Sequence, residues 1–307
     1  MRRINTSSDR AARGFTLIEM IISLVLMGIV AMVMIPLLQM PMNGYLNAQR
    51  RTELQSQLSL VRSKLGDDLA NALPGSVRIR QVGAVRYLEF LEVKAVGRYR
   101  SLQTNPLTTD YCTTAADATC SRDAFNPSCA ETCFTSLGPL YTTGAAPAVG
   151  DYVSVLPQFG SATPSAYSTA ANSPTSRVTA AGALPNGEWG LRFTAHQFQD
   201  DDLQKRFYLI RQPVSYVCRP AAGGTTGTLV KRWGYPMNAN QPIAFGAANS
   251  ATLATRVNTC VFNLATAATA PQNLRQTLSL QLTLATISGA AITEQTQAQM
   301  QFVVREP

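Results

Sequence analysis

Between Phe15 and Met42 the chain is apolar almost without interruption, and Glu19 is the only charged side chain in these 28 residues. As a helix they would extend about 42 Å, enough to cross a bilayer core of about 30 Å. Beyond Tyr45 the pattern changes. Leu54, Leu58, Val61, Leu65, Leu69 and Leu73 recur at steps of three and four and draw one apolar face. Arg50, Arg51, Glu53, Gln57, Arg62, Lys64 and Asp67 largely fill the remainder. Pro74-Gly75 is the first turn cluster that can end the run. The spacing predicts one long N-terminal helix in two parts. Residues 15–42 would span a membrane or line a filament core, and residues 43–75 would lie amphipathically on the domain that follows. Asn43-Gly44 marks a local break between them.

After the helix the period falls to two. Val77 and Ile79 alternate with Arg78 and Arg80, Gly83-Ala84 supplies a turn, and residues 85–96 continue the β pattern. Residues 101–186 interrupt this order with low periodicity and many Ala, Ser, Thr, Pro and Gly residues, predicting long loops with one strand at 152–156. Strands return at 189–193, 206–211, 214–218, 229–233 and 260–264, and two longer ones at 277–287 and 298–305. Ala-, Gly- and Thr-rich breaks fall at 221–228, 246–252 and 265–272. A helix followed by meandering strands predicts an α+β fold. The long helix would pack on an antiparallel sheet with long loops, spread over residues 76–307.

Charge and cysteine narrow the class. The net charge is +8. Arg2, Arg3, Arg10, Arg13 and Asp9 precede the apolar run, and the remainder carries +5, with no basic stripe interleaved with aromatics. Nucleic acid is therefore not the expected partner. Six cysteines beyond an apolar span indicate an oxidising compartment and disulfides. A secretory signal peptide would have a shorter apolar core and a small-residue cut site after it, and no Ala-x-Ala occurs between Val30 and Ala48. A plain membrane anchor explains the basic leader through the positive-inside rule but not Glu19, because a carboxylate inside a membrane helix is costly.

Arg13-Gly14-Phe15-Thr16-Leu17-Ile18-Glu19, opening the apolar run behind an Arg-rich leader, resembles the type IV prepilin signature. The resemblance implies cleavage by a prepilin peptidase between Gly14 and Phe15, N-methylation of Phe15, and a filament-register role for Glu19. It also implies that Pro36 stands where many such subunits carry a helix-kinking proline. Residues 1–14 would then be a cytoplasmic leader. The chain would be a single-pass inner-membrane protein with a periplasmic C-terminal domain, passing into a pilus on assembly. More loosely, residues 213–218, 229–235 and 258–262 resemble the MshO-type minor pilins of MSHA-type pili.

Other chemistries find little support. Cys112, Cys120, Cys129 and Cys133 contain no Cys-x2-Cys knuckle, so disulfides are expected there in place of zinc. Six cysteines leave fifteen pairings open; Cys218 with Cys260 is favoured, the other four closing their loop locally. His196 is the only histidine, which leaves no basis for a multi-histidine metal site. Asp200-Asp201-Asp202 lacks the spaced ligands and Gly of an EF-hand loop and reads as a solvated turn. No phosphate-binding Gly-x4-Gly-Lys-Ser/Thr is present.

The expectation is thus a structural subunit, not an enzyme, without cofactor or metal. Its partners would be a prepilin peptidase, other pilin-like subunits met through the N-terminal helix, and an inner-membrane assembly platform. A minor pseudopilin of a type II secretion system shares every N-terminal feature. A pilus-borne adhesin, suggested by the long loops alone, is the reading from a different class.

Overall fold

The computed structural model describes residues 16–101, 120, 123–157, 166–170, 172–198, 201–222, 226–268, 274–288 and 291–304. Helix α1 runs from Leu17 to Ala70 without a break at Asn43-Gly44, so the interruption expected there does not occur. It also ends before Pro74-Gly75, because the chain beyond it is claimed by the sheet. Leu73 N–H donates to Leu91 O at 2.8 Å, and Val93 N–H donates to Asn71 O at 2.8 Å. The Asn71 side chain closes the helix by donating to Asp67 O at 3.1 Å.

The chain forms two compact units, residues 1–53 and residues 54–307. In the second, β1 (Arg78–Val82) and β2 (Val85–Arg98) form a hairpin whose turn needs the positive φ of 57° at Gly83. The strands that follow are β3 (Glu131–Thr135), β4 (Tyr141–Thr142), β5 (Tyr152–Val155), β6 (Thr175–Ala183) and β7 (Trp189–His196). They are completed by β8 (Arg206–Arg219), β9 (Thr228–Trp233) and β10 (Asn249–Thr255). All ten make one antiparallel sheet, its main path ordered β1-β2-β8-β5-β6-β7-β3. A second sheet has three antiparallel strands, β11 (Val257–Ala268), β12 (Leu274–Ser288) and β13 (Ala291–Val304). The fold is α+β, with the helix packed on antiparallel strands.

The large sheet forks along β8. One edge of β8 pairs with β2 throughout. The other is shared: β5 pairs from Phe207 to Ile210, and β9 pairs from Val214 to Arg219. Pro213 lies where the first partner has ended and the second has not begun. A proline cannot donate to a ladder, and this gap asks for no donor. Two expected strands are therefore one continuous strand.

Each branch has its own core. Leu54, Leu58, Val61, Leu65 and Leu69 of α1 are buried with Leu88, Phe90, Val214, Tyr216 and Leu229 of the large sheet. Leu278, Leu280, Leu282 and Leu284, which alternate along β12, close this core from the small sheet. The second core lies on the β5-β6-β7-β3 branch and is aromatic: Tyr99, Phe125, Phe134, Phe193, Phe198 and Phe207 cluster there. Ring centroids in that cluster lie as close as 4.4 Å, for Tyr99 and Phe125.

Candidate functional site

Thr16 stands just before α1, and its Oγ1 accepts the N–H of Glu19 at 3.3 Å. Its carbonyl accepts the N–H groups of Glu19 and Met20 at 3.1 and 3.2 Å. Thr16 is therefore the N-cap. A carboxylate three residues later, in the first turn, is favoured by the helix dipole. Thr16-Leu17-Ile18-Glu19 thus spells a helix-capping pattern as well. That signal is in the sequence, and it gives Glu19 a local reason to be acidic, which the filament reading passes over.

From Leu17 to Ile35 the helix is long and apolar enough to cross a membrane: 19 residues, or about 28 Å. Every large apolar side chain in this stretch is exposed, from 49% at Ile21 to 79% at Met32. Glu19 is exposed with them. A helix apolar on all faces gains nothing from water, so this surface requires lipid or other helices. Pro36 lies within α1, and its side chain is outside the described residues, as are Gly14 and Phe15.

The buried part of α1 is held by polar clamps as well as by leucines. Asp68 is ion-paired with Lys231 of β9 and accepts the Tyr216 hydroxyl of β8 at 2.7 Å. Burial, then the neighbouring Asp68 charge, pushes the Tyr216 phenol well above its usual value. Gln57 accepts Thr255 N–H at 3.0 Å. Gln276 of β12 accepts Val77 N–H and donates to Val77 O, both at 3.2 Å, so its amide behaves as a strand partner for the chain leaving the helix.

On the opposite face of the hairpin, Glu89 is fully buried and ion-paired with Arg78 at 2.7 Å. It also accepts the Tyr235 hydroxyl at 3.0 Å. Desolvation outweighs the Arg78 charge and raises the Glu89 carboxyl above its usual range. Arg78 further donates to Asn238 O and Ala239 O, and its guanidinium lies 3.5 Å from the centre of the Tyr167 ring. These contacts fasten the 234–241 segment across the strands.

Cys218 of β8 is joined to Cys260 of β11, which ties the two sheets together. Cys120 is joined to Cys133. Cys129 is also disulfide-bonded, and Cys112 lies outside the described residues. His196 is buried, with Nε2 at 2.7 Å from Ser173 O, and burial lowers its pKa. The solvated turn expected at residues 200–202 needs correction at Asp202. That residue is 2% exposed and accepts Arg206 Nε and Arg206 N–H at 3.0 Å. Asp201 binds Lys205 and the Tyr99 hydroxyl, and Asp200 is outside the described residues. Among the described residues no cluster of His, Cys, Asp or Glu could hold a metal ion.

Residues 9–35 match the family described as the prokaryotic N-terminal methylation motif. That stretch contains Gly14, Phe15 and Glu19 together with the exposed apolar helix. No curated protein and no solved structure matches the chain. The likeness of residues 213–262 to MshO-type subunits gains no support from these comparisons. The motif supports a type IV pilin-like protein, anchored in a membrane by its apolar helix and structural in role.

Proposed function

We propose that this chain is a minor pilin-like subunit of an MSHA-like type IV pilus. It is cut between Gly14 and Phe15 and methylated at Phe15. It is held in the inner membrane with residues 54–307 in the periplasm, and then drawn into the filament through α1. One observation carries the reading: the matched motif opens a helix whose large apolar side chains are all exposed from Leu17 to Ile35. Such a surface suits storage in lipid followed by burial among like helices.

Glu19 supplies the register. In a bundle of apolar helices its carboxylate needs a cation, and the methylated amine at Phe15 of a neighbouring subunit is the one such a bundle offers. Removing one partner of a buried ion pair costs about 3–5 kcal/mol, enough to decide between registers. Prepilin peptidase, other pilin-like subunits and the assembly platform are the partners this requires. A pseudopilin of a type II secretion system would use the same features, and the genes flanking this one separate the two.

Two measurements test the proposal. The intact mass of the mature protein should correspond to a chain beginning at methyl-Phe15, and Gly14→Val should leave the precursor uncut. Glu19→Gln should still be inserted and cleaved, yet co-purify poorly with other pilin-like subunits. A mature N-terminus between Ala31 and Ala48 would overturn the reading, and normal assembly of Glu19→Gln would remove the ion-pair mechanism.

A further inference from the structure

Sheet edges are templates for aggregation, and proteins blunt them. Most edges here are blunted. β1 has five residues and carries Arg78 and Arg80. β10 has seven and is bulged between Thr252 and Ala254. β3 has five and is bounded by the Tyr99–Ser136 bridge and the Cys120–Cys133 disulfide. β11 is held at its start by hydrogen bonds between Val257 and both Ala221 and Gly227, and at Cys260 by its disulfide.

β13 is different. It has 14 residues and pairs on one side only, with β12, in unbroken register from Glu294 to Val304. Between Gln295 and Val304 it has no charge, no proline and no glycine. Among the described residues no strand covers its other edge. Its inner face is fixed on the core through Met300 and Val304, with Ala298 and Phe302 packed against it. Its outer face exposes Gln295, Gln297, Gln299 and Gln301 in succession.

We propose that this edge is the seam of a homodimer, in which β13 pairs antiparallel with β13 of a second copy about a two-fold axis at Ala298. The sequence favours a second copy because the glutamine series is symmetric about Ala298. Gln295 then lies opposite Gln301 of the other copy, and Gln297 opposite Gln299. Directly opposed residues share a face of the sheet, so the core-facing sides of both copies continue into each other. No like charges meet, and opposed glutamine amides can bond across the seam. The contact is self-complementary and closes at two chains. It stands independently of the filament reading, since it uses none of residues 1–53.

The test uses the full-length protein in detergent, with its mass measured by analytical ultracentrifugation across a dilution series. Wild type should be dimeric at micromolar concentration. Gln297→Lys with Gln299→Lys sets lysine against lysine twice and should weaken association at least tenfold, with thermal unfolding unchanged when both proteins are diluted until monomeric. Gln297→Lys with Gln299→Glu sets lysine against glutamate at the same places and should restore the dimer. A monomeric wild type, or a dimer indifferent to the double lysine change, overturns the proposal. So does association only with a different pilin-like subunit.

Discussion

In the first part of α1, from Leu17 to Ile35, every large apolar side chain is exposed. From Leu54 to Leu69 the leucines and valine that recur every three or four residues are all buried. Both parts are helical and rich in the same residue types, so helix propensity does not separate them. The arrangement does. In the first part apolar residues surround the axis, and one domain surface could cover only a fraction of them. In the second they form one stripe, with Arg62, Lys64 and Asp67 elsewhere on the helix, and a single core accommodates them. A fully buried Leu stabilises by about 1.5–3 kcal/mol. The stripe contributes this to its own domain, whereas the first part holds the same capacity for surroundings outside the chain.

Substitution should break that contrast most sharply at the stripe. Leu65 is fully buried, and Leu65→Ala should destabilise residues 54–307 by about 2–5 kcal/mol, read from thermal unfolding in detergent. Leu26→Ala, at a site 57% exposed, should leave the same transition where it is. Equal shifts from both changes would abolish the distinction between the two parts.

The next effect in size concerns the disulfide that closes the core over the stripe. Cys218 and Cys260 are 42 residues apart, so the chain-entropy account gives their link about 4 kcal/mol. Cys120 and Cys133 are 13 apart, and their link is worth about 3 kcal/mol on the same account. Replacing each pair by serine, and comparing denaturant midpoints, should therefore cost more stability at 218 and 260.

A smaller, pH-dependent effect is expected at Glu89. Its carboxyl lies above its usual value in the folded chain, so the folded state holds the proton more tightly than the unfolded state does. Glu89's contribution is full below the unfolded pKa and declines as pH rises through the raised value. Glu89→Gln lacks this titration. Its stability relative to wild type should rise over that pH window, as measured by urea midpoints at a series of pH values. A constant difference would mean that folding leaves the Glu89 carboxyl where it is in the unfolded chain.

The smallest effect sharpens the reading of the helix start. Thr16→Ala removes the cap and should cost α1 about 1 kcal/mol, seen as faster amide exchange over its first turn. Assembly with other subunits should persist. Loss of assembly in Thr16→Ala comparable to that in Glu19→Gln would make Glu19 a capping residue before anything else.

Strong periodicity was legible in the sequence, and pairing was not. The Leu54–Leu69 stripe and the alternation of Leu278, Leu280, Leu282 and Leu284 announce their elements, because burial on one face imposes the period. β6 announces nothing. Val178 is the only large apolar residue in Thr175–Ala183, and the strand exists because β5 and β7 both pair with it. β10 likewise occupies an Ala/Thr-rich stretch that reads as a break, and it forms against β9. β3 falls within the stretch expected to be loop, pairing with β7. Pro213 suggests a strand boundary, whereas the fork in the sheet gives it a tolerated place. At the candidate site, the prepilin-like signature is plain in the residues themselves. The burial of Asp202 could not be read there: Arg206 is a near neighbour in the chain, but Tyr99 arrives from about 100 residues away.

The closure of the first core by β12 has a consequence for the order in which the chain emerges during synthesis. Leu54 leaves the ribosome about 220 residues before Leu278, the first of the β12 leucines that cover its stripe. At about 5–20 residues per second that interval is roughly 10–45 s. For its duration the amphipathic part of α1 has only an incomplete domain to lie on. A one-faced helix continuous with an apolar segment has a ready temporary bed in the bilayer interface. Nascent chains arrested before β12 should accordingly leave Leu54–Leu69 protected by lipid and labile in its absence, and completion of β12 should make that protection independent of the membrane.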